Sequence, residues 1–192
     1  MNDTFLTIAD IIKKRRTIKP FMMNGGKIPE KEVSALLELA DWAPTHGYTE
    51  PWRFRVYAEP SQFCHQHAEL YKQSVSAEDF AESVYNNLYH QGDNASHVII
   101  ATMKRGRVPK IPALEEIEAA ACAVQNILIG ATSLGIASFW STGGMALKPV
   151  MHNFLELGDE DQMIGVIYLG YADEIPAGRR TVPSAEKITW VK

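Results

Sequence analysis

Trp42-Ala43-Pro44-Thr45-His46-Gly47-Tyr48-Thr49-Glu50-Pro51-Trp52 carries the chain from one kind of backbone to another. Before it, residues 29–42 place Val33, Leu36, Leu37 and Ala40 on one face at helical spacing, with Pro29 in the first turn. Pro44 has no N–H to donate and stops that helix. After it, Trp52-Arg53-Phe54-Arg55-Val56-Tyr57 alternates apolar and polar residues, the period of a strand. Pro51 sets the backbone on entry to the strand. The intervening loop displays Thr45, His46, Tyr48, Thr49 and Glu50 with free backbone amides. Such a set is able to hydrogen-bond the edge of a flat heterocycle, although polar loops also serve as plain solvated connections.

Helices and strands continue to alternate in both directions. Upstream, Leu6 to Arg16 reads as a short helix, with Ile8, Ile11, Ile12 and Arg15 at helical spacing and Thr7 with Asp10 as a capping pair. Lys19 precedes Pro20 and is driven to extended backbone, so the helix ends near Arg16 or Thr17. Asn24-Gly25-Gly26 is a turn. Downstream, residues 60–74 and 77–90 read as helices, His97 to Met103 as a buried strand, and Arg105-Gly106-Arg107 with Pro109 and Pro112 as a loop. Pro112 to Leu134 is the longest helical stretch. Its Leu114, Ile117, Ala121, Val124, Leu128 and Ala131 alternate three and four apart, an Ala-rich seam that fits a core helix or a crossing with a second copy of the chain. Ala137 to Trp140 reads as a short strand, Pro149 to Leu157 as a short helix, Met163 to Gly170 as a buried strand, and Lys187 to Val191 as a final strand. Few strands separated by helices predict a mixed α+β layer in one domain over residues 1–192.

The chain is 46% hydrophobic and 22% charged, with a net charge of -4, so bulk affinity for nucleic acid or anionic membrane is not expected. No apolar run approaches the roughly 18–20 residues needed to span a bilayer. The first positive charges follow the apolar residues, unlike a secretory signal, and the expected location is cytoplasmic. On that basis the glycosylation patterns at Asn2 and Asn94 have no role. Cys64 and Cys122 make no disulfide framework, and each reads as a small buried hydrophobe. No strand is followed by Gly-x-Gly-x-x-Gly, and there is no P-loop, Gly-x-Ser-x-Gly or His-Glu-x-x-His. Cys64-His65-Gln66-His67 lies on a helix, where neighbours point apart, so no metal site is expected. Asp159-Glu160-Asp161 reads as a solvated turn.

Five of the seven residues from Lys13 to Lys19 are basic. Arg15-Arg16-Thr17, where a helix gives way to extended chain, suits a phosphate: guanidinium groups supply forked donors and Thr adds a hydroxyl. A nucleic-acid-binding arm is the rival reading, and it would bring steep salt dependence. The acidic remainder of the chain and the lack of interleaved aromatics weigh against it. A further segment, Phe139-Trp140-Ser141-Thr142-Gly143-Gly144, puts hydroxyls and closely approachable backbone at the end of a strand.

Together these segments resemble the FMN-dependent nitroreductase family, in its compact, minimal branch. Arg15-Arg16-Thr17 resembles that family's Arg-Arg-Ser opening. Residues 43–52 resemble its Ala-Pro-x-His-x-x-x-Gln-Pro-Trp loop, Phe139 to Gly143 its later flavin-contacting turn, and residues 164–170 its last core strand. The order agrees from residue 8 to about residue 183. The resemblance implies a nitroreductase-like fold: a mixed, mainly antiparallel sheet flanked by helices, with the long central helix at a homodimer interface. It implies FMN between the subunits, its phosphate and ribityl chain held by Arg15, Arg16 and Thr17. His46 and Glu50 would reach the flavin from the other subunit, and Trp140, Ser141 and Thr142 would line another side. The implied activity is ping-pong reduction of small oxidised substrates, such as nitroaromatics or quinones, by NADH or NADPH, with no side chain as nucleophile. Flavin fragmentation or reductive dehalogenation is the alternative activity. Thr17 keeps the hydroxyl of the usual Ser. Glu50 replaces the usual Gln and, when ionised, only accepts hydrogen bonds. Lys19 stands where a cation would stabilise charge on a reduced flavin. Arg179 and Arg180 offer further phosphate contacts. Residues 61–94, with Arg105 and Arg107, are candidates for a lid that selects anionic substrates or the phosphate of NADPH.

Overall fold

The computed structural model describes residues 1–107 and 110–192. Pro109 of the expected loop lies outside the described residues. These form six α-helices: α1 (Asp3–Lys14), α2 (Glu30–Asp41), α3 (Pro60–Ser74), α4 (Glu82–Tyr89), α5 (Ala113–Ser133) and α6 (Pro149–Phe154). Four strands, β1 (Trp52–Tyr57), β2 (His97–Met103), β3 (Ala137–Ser141) and β4 (Gln162–Gly170), make one sheet in the order β1-β2-β4-β3. All three ladders are antiparallel. A single parallel bridge, Thr17 to Ser138, lies against the outer edge of β3.

The sheet is covered on both faces, which is why β2 and most of β4 read as unbroken apolar runs. On one face α2 and α5 pack over Ile99, Ala101, Met103, Ile167 and Leu169. On the other, α3 and α6 pack over Val98, Ile100, Val166 and Tyr168. Strand β1 is at an edge and alternates over its first four residues, with Trp52 buried, Phe54 half-buried and Arg53 and Arg55 exposed, while Val56 is exposed as well.

Four expectations are revised. Helix α1 starts at Asp3, because the Asn2 side chain accepts the N–H of Phe5 at 2.9 Å and caps it; the Thr7 hydroxyl instead donates to the Asp3 carbonyl. In α5 only Val124, Leu128 and Ala131 of the expected seam are buried, while Leu114 is exposed. The buried stripe, through Ala119, Ala120, Ala123, Val124, Ile127 and Leu128, is wider than a seam because α5 meets both α2 and the sheet. Residues 187–191 form no strand: a 3₁₀ turn over Ser184–Lys187 is followed by exposed chain. Alternation alone supplies no pairing partner, and at the β3 edge Ile18 donates to the Ser138 carbonyl at 3.0 Å. Cys64 is buried, but Cys122 is exposed on α5.

Candidate functional site

The C-terminal end of α1 brings the basic cluster to β3. Arg15 turns the chain out of the helix, and the Thr17–Ser138 bridge seats Arg15-Arg16-Thr17 beside the strand that ends in Trp140-Ser141. Lys14 pairs with Asp10 at 2.8 Å. Among the described residues, Lys13, Arg15, Arg16 and Lys19 have no carboxylate partner. Arg16 is half-buried and partly committed: its guanidinium donates to the carbonyls of Lys13, Arg15 and Pro176 at 2.5, 2.9 and 3.1 Å. It thereby ties the segment after β4 to the end of α1. Thr17 is exposed. Arg179 and Arg180 are exposed, and Arg180 donates to the Arg179 carbonyl.

Lys19 opens onto a cleft of about 570 Å³, walled by Phe21, Phe139 and the polar end of α4 at Asn86, Asn87, His90 and Gln91. At the end of β3, the Trp140 indole packs over Gly165 and donates to the Ile164 carbonyl at 3.0 Å. A Cβ on Gly165 would come within 2.3 Å of the indole nitrogen, so this contact requires glycine. Trp140 is therefore committed to the α5 side of the sheet, while Ser141 is half-buried and Thr142 exposed. The Ser141 hydroxyl accepts the N–H of Gly143 at 3.2 Å and shapes the turn.

His46 and Glu50 belong to a separate structure. Their loop is wound tightly: Gly47, Tyr48 and Glu50 all have positive φ, at 60°, 54° and 43°. A left-handed non-glycine residue costs on the order of 1–3 kcal/mol and persists only when its surroundings impose it. Here the Thr45 hydroxyl accepts the Glu50 N–H at 3.2 Å and meets the Thr49 hydroxyl at 3.1 Å, and Arg53 donates to the Glu50 carbonyl at 2.7 Å. The His46 Nδ1 lies 2.6 Å from the Glu115 carboxylate in the first turn of α5. The next residue, Glu116, is buried and pairs with Arg105, which also donates to the Ile111 carbonyl at 2.7 Å. The Glu116 carboxylate also accepts the Gly106 N–H at 3.0 Å. Arg105 is thus engaged by the fold and unavailable to a substrate, contrary to the expectation from its charge. Arg107 is exposed.

The two groups of candidates sit at opposite ends of α5. His46 meets Glu115 near its start, whereas Arg16 and Thr132 line one recess near its end. Seventeen residues at 1.5 Å each separate those points by about 25 Å. A single chain does not bring Arg15, Arg16, Thr17, Ser141 and Thr142 together with His46 and Glu50.

The sequence model of the Nitroreductase family matches residues 12–171. The chain belongs to the nitroreductase family. A Bacillus subtilis (strain 168) protein named "Putative NAD(P)H nitroreductase YfhC" is 25% identical over 186 residues, covering 95% of this chain and 93% of the relative. The crystal structure of the nitroreductase-like family protein from Bacillus cereus has a TM-score of 0.84 at 23% identity, covering 96% of each chain. That of a nitroreductase with bound FMN from Bacteroides fragilis NCTC 9343 has a TM-score of 0.68 at 23% identity, over 100% of both chains.

In this nitroreductase-family chain, several residues around the candidate site were not read from the sequence. Asn86, Asn87, His90 and Gln91 gave only a polar helix end as a signal. Glu115 and Glu116 stand in the first turn of α5, and nothing local in the sequence pairs them with His46 and Arg105. His67 is buried beneath the turn that follows Ser141. Among the described residues no group of His, Cys, Asp and Glu could hold a metal ion, and no helix is long and apolar enough to cross a membrane.

Proposed function

We propose that this protein is an FMN-dependent oxidoreductase that uses NADH or NADPH to reduce small oxidised substrates such as nitroaromatics or quinones. We further propose that it works in the cytoplasm as a homodimer with FMN at the subunit interface. The observation that carries this reading is the cationic cluster at the end of α1. Its Lys13, Arg15, Arg16 and Lys19 have no carboxylate partner among the described residues, and Thr17 is bridged to Ser138 of the strand that ends at Ser141. The donor set fits FMN. Arg15, the free Nη2 of Arg16, and the Thr17 hydroxyl would take the phosphate and ribityl chain through charge-assisted bonds. The Ser141–Thr142 turn would meet the ring.

Bound FMN would supply the redox chemistry of a ping-pong reaction between the nicotinamide and the acceptor. The chain binds, orients and tunes. Lys19, at the mouth of its cleft, would place a cation near the ring and favour the charge that reduction creates. Glu50, held by its backbone N–H and carbonyl, would present an acceptor to a ring N–H. His46, steadied by Glu115, would cover the ring from the other copy. Trp140 supports the turn from behind.

The dimer is supported by apolar surface that one chain leaves open. Helix α1 buries none of its residues, and Phe5, Leu6, Ile8 and Ile12 are all about half-exposed. Leu114 on α5 is exposed, as are Ile188, Trp190 and Val191 of the tail. So much apolar surface on a monomer marks an interface. A two-fold axis setting α5 antiparallel to its copy would bring the His46 end of one chain to the Arg15 end of the other. It would make two equivalent sites.

The test is the visible flavin spectrum of the purified protein. Arg15→Ala with Arg16→Ala should abolish the flavin absorbance while the far-ultraviolet circular dichroism is unchanged. Stoichiometric flavin retained by the double variant would refute the assignment.

A further inference from the structure

The turn after β3 is held from behind by a residue that the cofactor reading does not use. His67, on α3, is 2% exposed. Its Nε2 accepts the N–H of Met145 at 2.8 Å. In the neutral ring the proton then sits on Nδ1. That atom is buried and has no hydrogen-bond partner among the described residues. A buried donor left unpaired is costly, and a leucine would avoid the cost. The compensating feature is the Nε2 lone pair. Burial pushes the ring's pKa down to about 4, so the lone pair is free to accept at neutral pH.

The geometry around the ring is closed. Phe63 packs against it at 5.2 Å between ring centres. Gly144 has φ +62°, and a Cβ there would come within 2.7 Å of the His67 Nε2 and 2.9 Å of Leu88. Among the described residues the ring therefore has one hydrogen-bond partner, Met145, and one distance at which to hold it. Met145 directly follows Ser141-Thr142-Gly143-Gly144. The acceptor thus sets how far that turn stands from the body of the domain.

We propose that His67 is a positioning residue for the FMN site: through the Met145 N–H it fixes the Ser141–Gly144 turn at the place where FMN binds. The proposal rests on the reading of Ser141 and Thr142 as flavin contacts. It requires an acceptor at the Nε2 position, and neither charge nor bulk replaces it. His67→Gln carries an oxygen close to that position, whereas His67→Leu fills the space without an acceptor.

The experiment measures FMN affinity of the flavin-free protein by quenching of flavin fluorescence, alongside the melting temperature of the same flavin-free samples. His67→Leu should weaken FMN binding by about tenfold, the worth of one hydrogen bond, without lowering the melting temperature. His67→Gln should stay within about threefold of wild type. Gly144→Ala pushes on the same contact from the turn side, keeps the sequence of α3 unchanged, and should weaken FMN by the same order as His67→Leu. Wild-type affinity in His67→Leu or in Gly144→Ala, or equal loss in His67→Gln and His67→Leu, overturns the proposal while the flavin reading stands. Wild-type protein that takes up no FMN overturns the flavin reading and this proposal with it.

Discussion

Cutting the Arg105–Glu116 pair should destabilise the protein by about 3–5 kcal/mol, because either single change leaves a largely buried charge without its partner. The two directions are not equivalent. Glu116 is 1% exposed and Arg105 15%. After Glu116→Ala, the guanidinium keeps the Ile111 carbonyl at 2.7 Å and the exposed Glu160 at 3.7 Å, so its loss is softened. After Arg105→Ala, the carboxylate keeps only the Gly106 N–H among its described partners. Arg105→Ala should therefore fall at the upper end of the range and Glu116→Ala at the lower. For a chain of this length each kcal/mol moves the melting temperature by about 2–4 °C, which gives drops of roughly 6–20 °C. Arg105→Met with Glu116→Leu should recover most of the loss, since apolar side chains of similar volume carry no desolvation cost. The assay is urea unfolding followed by circular dichroism at one fixed protein concentration, run as a double-mutant cycle whose single variants are Arg105→Met and Glu116→Leu. If the double variant falls as far as the two single losses added together, Arg105 and Glu116 do not act as a unit and the reasoning fails. The pair also matters to the site, because the neighbouring Glu115 holds His46.

Three further outcomes follow from particular contacts. The folded pKa of His67, about 4, lies below its ordinary 6.5, so the unfolded chain takes up the proton first. The His67 contribution is complete above pH 6.5 and is lost as pH falls to about 4, by about 3 kcal/mol, and the stability difference between wild type and His67→Leu should show this slope. A difference that does not change between pH 7 and pH 4 would contradict it. Gly165→Ala should cost about 1–3 kcal/mol by overpacking against Trp140. It should also weaken FMN binding, and a variant as stable as wild type would show that Trp140 is not locked there. Glu50→Gln should raise the flavin reduction potential by removing a negative charge near the reduced ring, and an unchanged potential would show that Glu50 is not at the ring.

The elements of the fold were legible where pattern and packing agree. Strands β2 and β4 read as buried runs because both faces are covered, and the start of β1 alternates because Trp52 and Phe54 face the core while Arg53 and Arg55 face solvent. Helix α2 was legible from its apolar face and its flanking prolines. The basic triplet, the His46 loop and the Ser141 turn were legible as polar groups at element ends. What the sequence hid depends on distant partners. Arg105 read as a free cation because Glu116, which binds it, is on another element. His67 read as part of a polar Cys-His-Gln-His run, and only burial under Gly144 and Met145 gives it a single lone pair to use. The tail at residues 187–191 alternates like a strand but pairs with neither sheet edge among the described residues. The start of α1 depended on Asn2, a capping residue outside the apolar pattern.

Each FMN site is proposed to be assembled from two copies of the chain, and subunit complementation tests this most directly. A chain carrying Arg15→Ala and Arg16→Ala is paired with one carrying His46→Ala and Glu50→Ala, and the heterodimer is isolated by distinct tags. One of its sites then combines both defects and the other combines neither. Each defective homodimer should bind FMN weakly, while the heterodimer should bind one FMN with wild-type affinity. A heterodimer that binds no better than its parents would show that Arg15, Arg16, His46 and Glu50 do not meet across the interface.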